Sequence, residues 1–344
     1  MRAYLACSLR ACSLWACSFA LAALLAGCGR SATQDAVPAS MATGGGAPHF
    51  LARIPDAPFQ TAYYARRRVW QSFQDALGSE TLEYTESVWS DGQGHFNVTP
   101  EQLVQPVLST TQAQTFLLLQ RAREGFIYRL RDFRIQELGA FLDSYSVEDL
   151  DQRVDVAGRT CERLRVRPVN PGTTYWELDV DPATGLILGT REFQVSAGHS
   201  TLVGEVETLE YQANPNLSGV ALHQDLPAVP FTAANAQQVL GFTPLQPTFL
   251  PQGFALARSE QLSQGGENWA RFTYTNGGES LFLLYRHEPL SSTPVADPAG
   301  PYTIKIFRAG RWSVAQATLG RHRIITLGRE PAAILQQMLE SCAP

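Results

Sequence analysis

The residues with the most definite chemistry are Leu25-Ala26-Gly27-Cys28. A small-residue cleavage site behind an apolar stretch, with a cysteine just past the cut, is where a bacterial export leader is removed and the exposed thiol acylated. Arg2 and Arg10 supply the positive flank, and Leu14 to Gly27 the apolar run, which is too short to span a bilayer. The pattern predicts a lipoprotein signal peptide over residues 1–27, lipidation at Cys28 and an extracytoplasmic chain anchored to a membrane. That membrane is the periplasmic leaflet of an outer membrane if one exists, and otherwise the outer face of the cytoplasmic membrane.

Other reactive side chains are sparse. Of six cysteines, Cys7, Cys12 and Cys17 leave with the leader and Cys28 is consumed, so Cys161 and Cys342 are the candidates for a disulfide in an oxidising compartment. Each has a second reading. Cys342 continues the helical stripe Ile334, Leu335, Met338 and Leu339, where a thiol acts as a small hydrophobe. Cys161 shares strand parity with Arg163, Arg165 and Arg167, whose guanidinium groups would lower its pKa and open a redox role.

The histidines His49, His95, His199, His223, His287 and His322 form no pair at a spacing of three or four. No CxxC, HExxH, GxSxG, Walker A or GxGxxG run is present. Asp179 with Asp181, and Glu205 with Glu207, fall on strand faces and read as solvated sides of a sheet rather than acid and base pairs. These residues assign no catalytic group, no metal and no cofactor, and the expectation is a protein that is not an enzyme.

The elements that position these groups are mainly strands. The chain has 344 residues and a formal charge of −5, and the leader carries two arginines and no acid, so the mature chain is more acidic still. That balance argues against nucleic acid and against electrostatic adhesion to anionic lipid. Residues 28–58, rich in Ser, Ala, Thr, Gly and Pro, read as a flexible tether with a reach of roughly 30 Å. Ala62, Val69, Trp70, Phe73 and Leu77 recur at helical spacing before Gly78, which predicts a helix with Arg66, Arg67 and Arg68 on its solvated side.

A hairpin follows around Asp91-Gly92. One or two short helices are expected in Pro100 to Glu124, and an alternating stretch over Phe126 to Ile135. From Arg163 to Tyr211 the pattern is an antiparallel meander. Trp176, Leu178 and Val180 share the face that lines a cavity or core, opposite Tyr175, Glu177, Asp179 and Asp181. Prolines over 220–231 mark a linker, Thr232 is a candidate N-cap for Ala233 to Leu240, and a last helix starts at Pro331.

Two stretches resemble a known family. Val156-Ala157-Gly158-Arg159-Thr160-Cys161, then Leu164 to Pro168 and Tyr175 to Leu188, are similar to the N-terminal domain of the MucB/RseB sigma-factor regulators. Ala236 to Phe242, leading into Leu250-Pro251-Gln252-Gly253-Phe254, resembles the opening of that family's C-terminal domain, and Arg311 to Cys342 its end. The resemblance implies an α+β, mainly antiparallel fold. A LolA/LolB-like half-open β-barrel with a helical lid would occupy 59–219, and a smaller α+β domain 232–344. RseB relatives are soluble periplasmic proteins, and the lipobox sets this chain apart from them. The leading expectation is therefore a lipid-anchored protein that binds lipid or lipoprotein acyl chains in an apolar half-barrel, in lipoprotein handling or envelope-stress sensing. The alternative is an RseB-like regulator of a membrane anti-sigma factor, with a filled barrel and no lipid cargo.

Overall fold

The computed structural model describes residues 49–75, 78–104, 132–169, 174–222, 228–264, 267–287, 304–309, 312–319 and 321–342. Cys28, the leader, most of the expected tether, the expected helices after residue 104 and the stretch 126–131 lie outside them. The fold is α+β and mostly antiparallel: two large open sheets with a few short helices.

The first sheet comprises β1 (Ala62–Asp75), β2 (Gly78–Asp91), β3 (Phe96–Leu103), β4 (Tyr145–Val156), β5 (Arg159–Pro168), β6 (Thr174–Val180), β7 (Ile187–Ser196) and β8 (His199–Ala213), in the order β3-β2-β1-β8-β7-β6-β5-β4. Its hairpins are tight where the residues permit positive φ. Ala157-Gly158 and Ala197-Gly198 have φ of 50° and 76°, and 49° and 79°. That is the handedness a two-residue turn needs to follow strand twist.

The predicted helix over Ala62 to Leu77 is corrected to strand β1, paired along its length with β2 and from Tyr63 to Gln71 with β8. Its apolar residues satisfy a 3.6-residue period by coincidence. Two flanking strands supply backbone partners that an isolated amphipathic helix would lack, and they decide the conformation. Phe50 to Ala57, read from composition as the end of a tether, instead form a 3-10 turn (Leu51–Arg53) and α1 (Ala57–Gln60), with Phe50, Leu51, Ile54 and Ala57 buried.

The second sheet contains β9 (Val229–Pro230), β10 (Ala255–Gln264), β11 (Glu267–Thr275), β12 (Ser280–His287), β13 (Lys305–Ala309), β14 (Trp312–Leu319) and β15 (His322–Gly328), in the order β13-β14-β15-β12-β11-β10-β9. Every residue from Ser280 to Tyr285 is buried, because both faces of this sheet are covered. Leu281, Leu283 and Tyr285 pack with α3 (Ala236–Leu240) and α4 (Ala332–Glu340). Phe282 and Leu284 pack on the first sheet, in a core that joins Val69, Leu82, Tyr84, Val88 and Val98 to Trp312, Val314, Ile325 and Leu327. The N-cap of α3 is Asn235 rather than Thr232, whose amide donates to the Asn235 side chain, and Gly241 closes the helix at φ 82°.

Candidate functional site

Strand register places one row of side chains across the inner face of the first sheet: Leu164, Leu178, Thr190, Val206, Val69, Tyr84 and Leu103. This is the face that would hold cargo in a half-barrel, and it is covered twice. Over β1 to β3 it meets the second sheet. Over β5 and β6 it meets Phe50, Leu51, Ile54, Phe133, Ile135, Phe141 and Tyr145.

Trp176, Leu178 and Val180 lie in this second cluster, at 3%, 0% and 0% exposure. Trp176 stacks on Phe133 with ring centroids 4.3 Å apart and meets Tyr145 edge-on. The three are core residues, and none lines the cavity found between this face and the segments over it. That cavity, about 100 Å³, lies between Tyr63, Arg67, Val88, Ser90, Phe96 and Val98 of the first sheet and the segments carrying Pro58, Phe59 and residues 132–135. Its wall includes the charged side chains of Arg67, Asp132 and Arg134.

The charges on this face come in compensated groups. Arg67, opposite Glu86 in the register, pairs with that fully buried carboxylate and with Asp132 at 3.2 Å. Arg329, just past β15, pairs with Glu192 of the first sheet and reaches Glu279 at 3.6 Å. Burial opposes its charge, yet the carboxylates of Glu192, Glu279 and Asp132 hold the guanidinium above its ordinary range. Next to it, burial pushes the Glu330 carboxyl up, and the Arg329 charge draws it partly back.

The turn of the β11–β12 hairpin closes the joint between the sheets. Asn276-Gly277-Gly278 seats against α2 (Leu138–Ser144) and the chain before it. The Gln136 amide donates to the Gly277 carbonyl at 2.8 Å, and the Ser280 hydroxyl donates to the Gln136 side chain at 2.9 Å. Tyr145 hydrogen-bonds with Asn276, while burial raises its pKa well above the ordinary phenol value.

The outer face of the first sheet is a ladder of ion pairs. Arg159 holds Asp181 at 2.7 Å, Arg163 holds Asp179 at 2.7 Å and Arg165 holds Glu177 at 2.9 Å, with Arg191 bridging Asp179 and Glu177. Asp179 and Asp181 are therefore buried and paired rather than solvated. Gly189 stands opposite Asp179, where a Cβ would come within 2.7 Å of the carboxylate. Glu205 and Glu207 meet Arg68 at a more open part of this face.

The two candidate disulfide cysteines are not joined. Cys161 packs with Ala57, Val156, Leu186 and Leu188, Cys342 packs with the helices on the second sheet, and both are free buried thiols. The expected lowering of the Cys161 pKa is also corrected. Burial, then the nearby Asp181 and Asp179, push the thiol up to about 12, against a smaller downward pull from Arg159. Burial alone pushes Cys342 up to about 12.

One group was missed by sequence spacing. His287 and His322 are 35 positions apart and become direct cross-strand neighbours on β12 and β15. Among the described residues, no set of three or more His, Cys, Asp or Glu is arranged to hold a metal ion. No helix of the described residues is long and apolar enough to cross a membrane.

No protein-family model matches the sequence. No curated protein matches it either. Solved structures of MucB do. The MucA/MucB complex of Pseudomonas aeruginosa is 17% identical, with 84% of this chain and 95% of that chain covered at a TM-score of 0.46. MucB in complex with MucA(peri) is 17% identical, with 85% and 96% covered at a TM-score of 0.47. MucB on its own is 16% identical, with 85% and 95% covered at 0.42.

Proposed function

We propose that this chain is a non-enzymatic extracytoplasmic regulator, held to a membrane through lipidated Cys28, that binds the extracytoplasmic segment of a membrane anti-sigma factor and carries no lipid cargo. The observation that carries the reading is the occupied inner face of the first sheet. Among the described residues, the chain's own second sheet and residues 50–54 and 133–145 cover it, with cavities of about 100 and 30 Å³ between them. Sites for drug-sized ligands run to ~300–1,000 Å³ and are mostly apolar. Here the ion-paired Arg67 and Asp132 stand in the wall with Arg134, a polar lining that suits peptide groups better than an acyl chain.

The class of partner rests on the resemblance of residues 156–188 and 236–254 to the MucB/RseB regulators. The experiment is crosslinking of the full chain in membranes of its native host, followed by purification and identification of bound protein and extractable lipid. A single-span anti-sigma factor with no stoichiometric free lipid supports the reading. A stoichiometric, non-covalently held acyl lipid with no such partner overturns it and restores the carrier role.

A further inference from the structure

We propose that His287 and His322 form a two-histidine binding site for a tetrahedral divalent transition-metal ion of the zinc type, at the end of the second sheet away from the β11–β12 turn. The two residues are directly opposed on adjacent antiparallel strands, so their side chains leave the sheet on the same face. Their ring centroids are 5.2 Å apart, with planes inclined at 44°. A zinc–imidazole bond is ~2.0–2.1 Å, and the ring centre lies about 1.1 Å beyond the nitrogen. Two imidazoles sharing one tetrahedral ion thus have centres about 5.2 Å apart. The observed separation matches that spacing.

The surroundings are those of a ligand rather than of an exposed pair. His322 Nδ1 is hydrogen-bonded to the hydroxyl of Tyr285, a fully buried residue, which fixes the ring and leaves Nε2 to bind. Metal-bound histidines are commonly held in this way by their second nitrogen. Phe242, just after the Gly241 cap, packs against both His287 and Tyr285, with centroids 6.0 and 5.5 Å away, and closes one side. Both histidines are partly open to solvent, which leaves the remaining positions of the ion to water.

The test uses the untagged full chain titrated with zinc at pH 7.5, and with copper(II) for electron paramagnetic resonance. The expected result is one zinc per chain, at least ten-fold weaker binding in His287→Asn and in His322→Asn, and about ten-fold weaker binding in Tyr285→Phe. Copper should show two equatorial ring nitrogens in the parent and one in either histidine variant, a readout that does not depend on stability. Zinc affinity unchanged by both histidine substitutions, or no saturable zinc, overturns the proposal.

Discussion

Substituting Gly277 by alanine tests whether the two sheets form one cooperative unit. Gly277 has φ 86° and sits so close to α2 that a Cβ would lie 2.5 Å from Phe141 Cα and 2.6 Å from the Ala140 carbonyl carbon. These are backbone atoms of a helix and cannot rotate away. The left-handed backbone alone costs about 1–2 kcal/mol with a side chain. Relieving the overlap withdraws the turn from Gln136, losing the hydrogen bonds to the Gly277 and Gly278 carbonyls and from Ser280, each contributing about 0.5–1.5 kcal/mol. The expected loss is about 3–6 kcal/mol.

Gly198→Ala is the control. It carries the same strain at φ 79° but has nothing within 4 Å, so it should cost only about 1–2 kcal/mol. Urea unfolding of the full chain, followed by tryptophan fluorescence and far-UV circular dichroism, measures both. The Gly277 variant should also split a single transition into two as the sheets uncouple. Equal destabilisation by the two substitutions, with coincident transitions in both, would refute the docking argument.

Three other outcomes follow from the cores and the buried charges. Trp176→Ala should cost about 3–5 kcal/mol by chemical denaturation. Trp176→Phe should cost much less, because the indole nitrogen makes no hydrogen bond and Phe keeps the stack on Phe133; equal costs would argue against a packed core there. Cys161 and Cys342 should resist iodoacetamide at pH 8 in the native protein and react after unfolding, as two thiols held up near 12 require. Labelling at the rate of a free thiol would contradict their burial. Glu330 has its folded pKa raised above 4.5, so the fold favours its protonated form and loses stability as pH rises from about 4.5 through the folded pKa. Glu330→Gln should therefore be more stable than the parent at pH 7.5 and match it below pH 4; a constant difference across that range would mean the effect is not ionic.

The meander from Arg163 to Tyr211 is legible because alternation and turn residues agree there, and Trp176, Leu178 and Val180 are buried in one cluster. β1 reads as a helix because Val69 and Phe73, four apart, satisfy the helical and the strand period at once, and only the flanking strands β2 and β8 decide between them. Alternation also shows that Asp179 and Asp181 share a face without showing what meets it. Arg159 and Arg163 arrive from β5 and Arg191 from β7, so pairing and burial follow from register rather than spacing. The closeness of His287 and His322 arises in the same way.

The cost of separating the sheets bears on the choice between lipid and protein as ligand. Opening the inner face would expose Leu262, Phe282, Leu284, Trp312, Val314 and Leu327 together with their partners on β1 to β3. At about 1.5–3 kcal/mol each, those six side chains alone represent roughly 9–18 kcal/mol. An acyl chain of about fourteen methylenes recovers roughly 11 kcal/mol at ~0.8 per group, before its own ordering entropy is subtracted. Opening would in addition part Arg329 from Glu192. With the β1 to β3 partners added, separating the sheets costs more than such a chain recovers, which favours a ligand that uses the standing surface and needs no separation of the sheets.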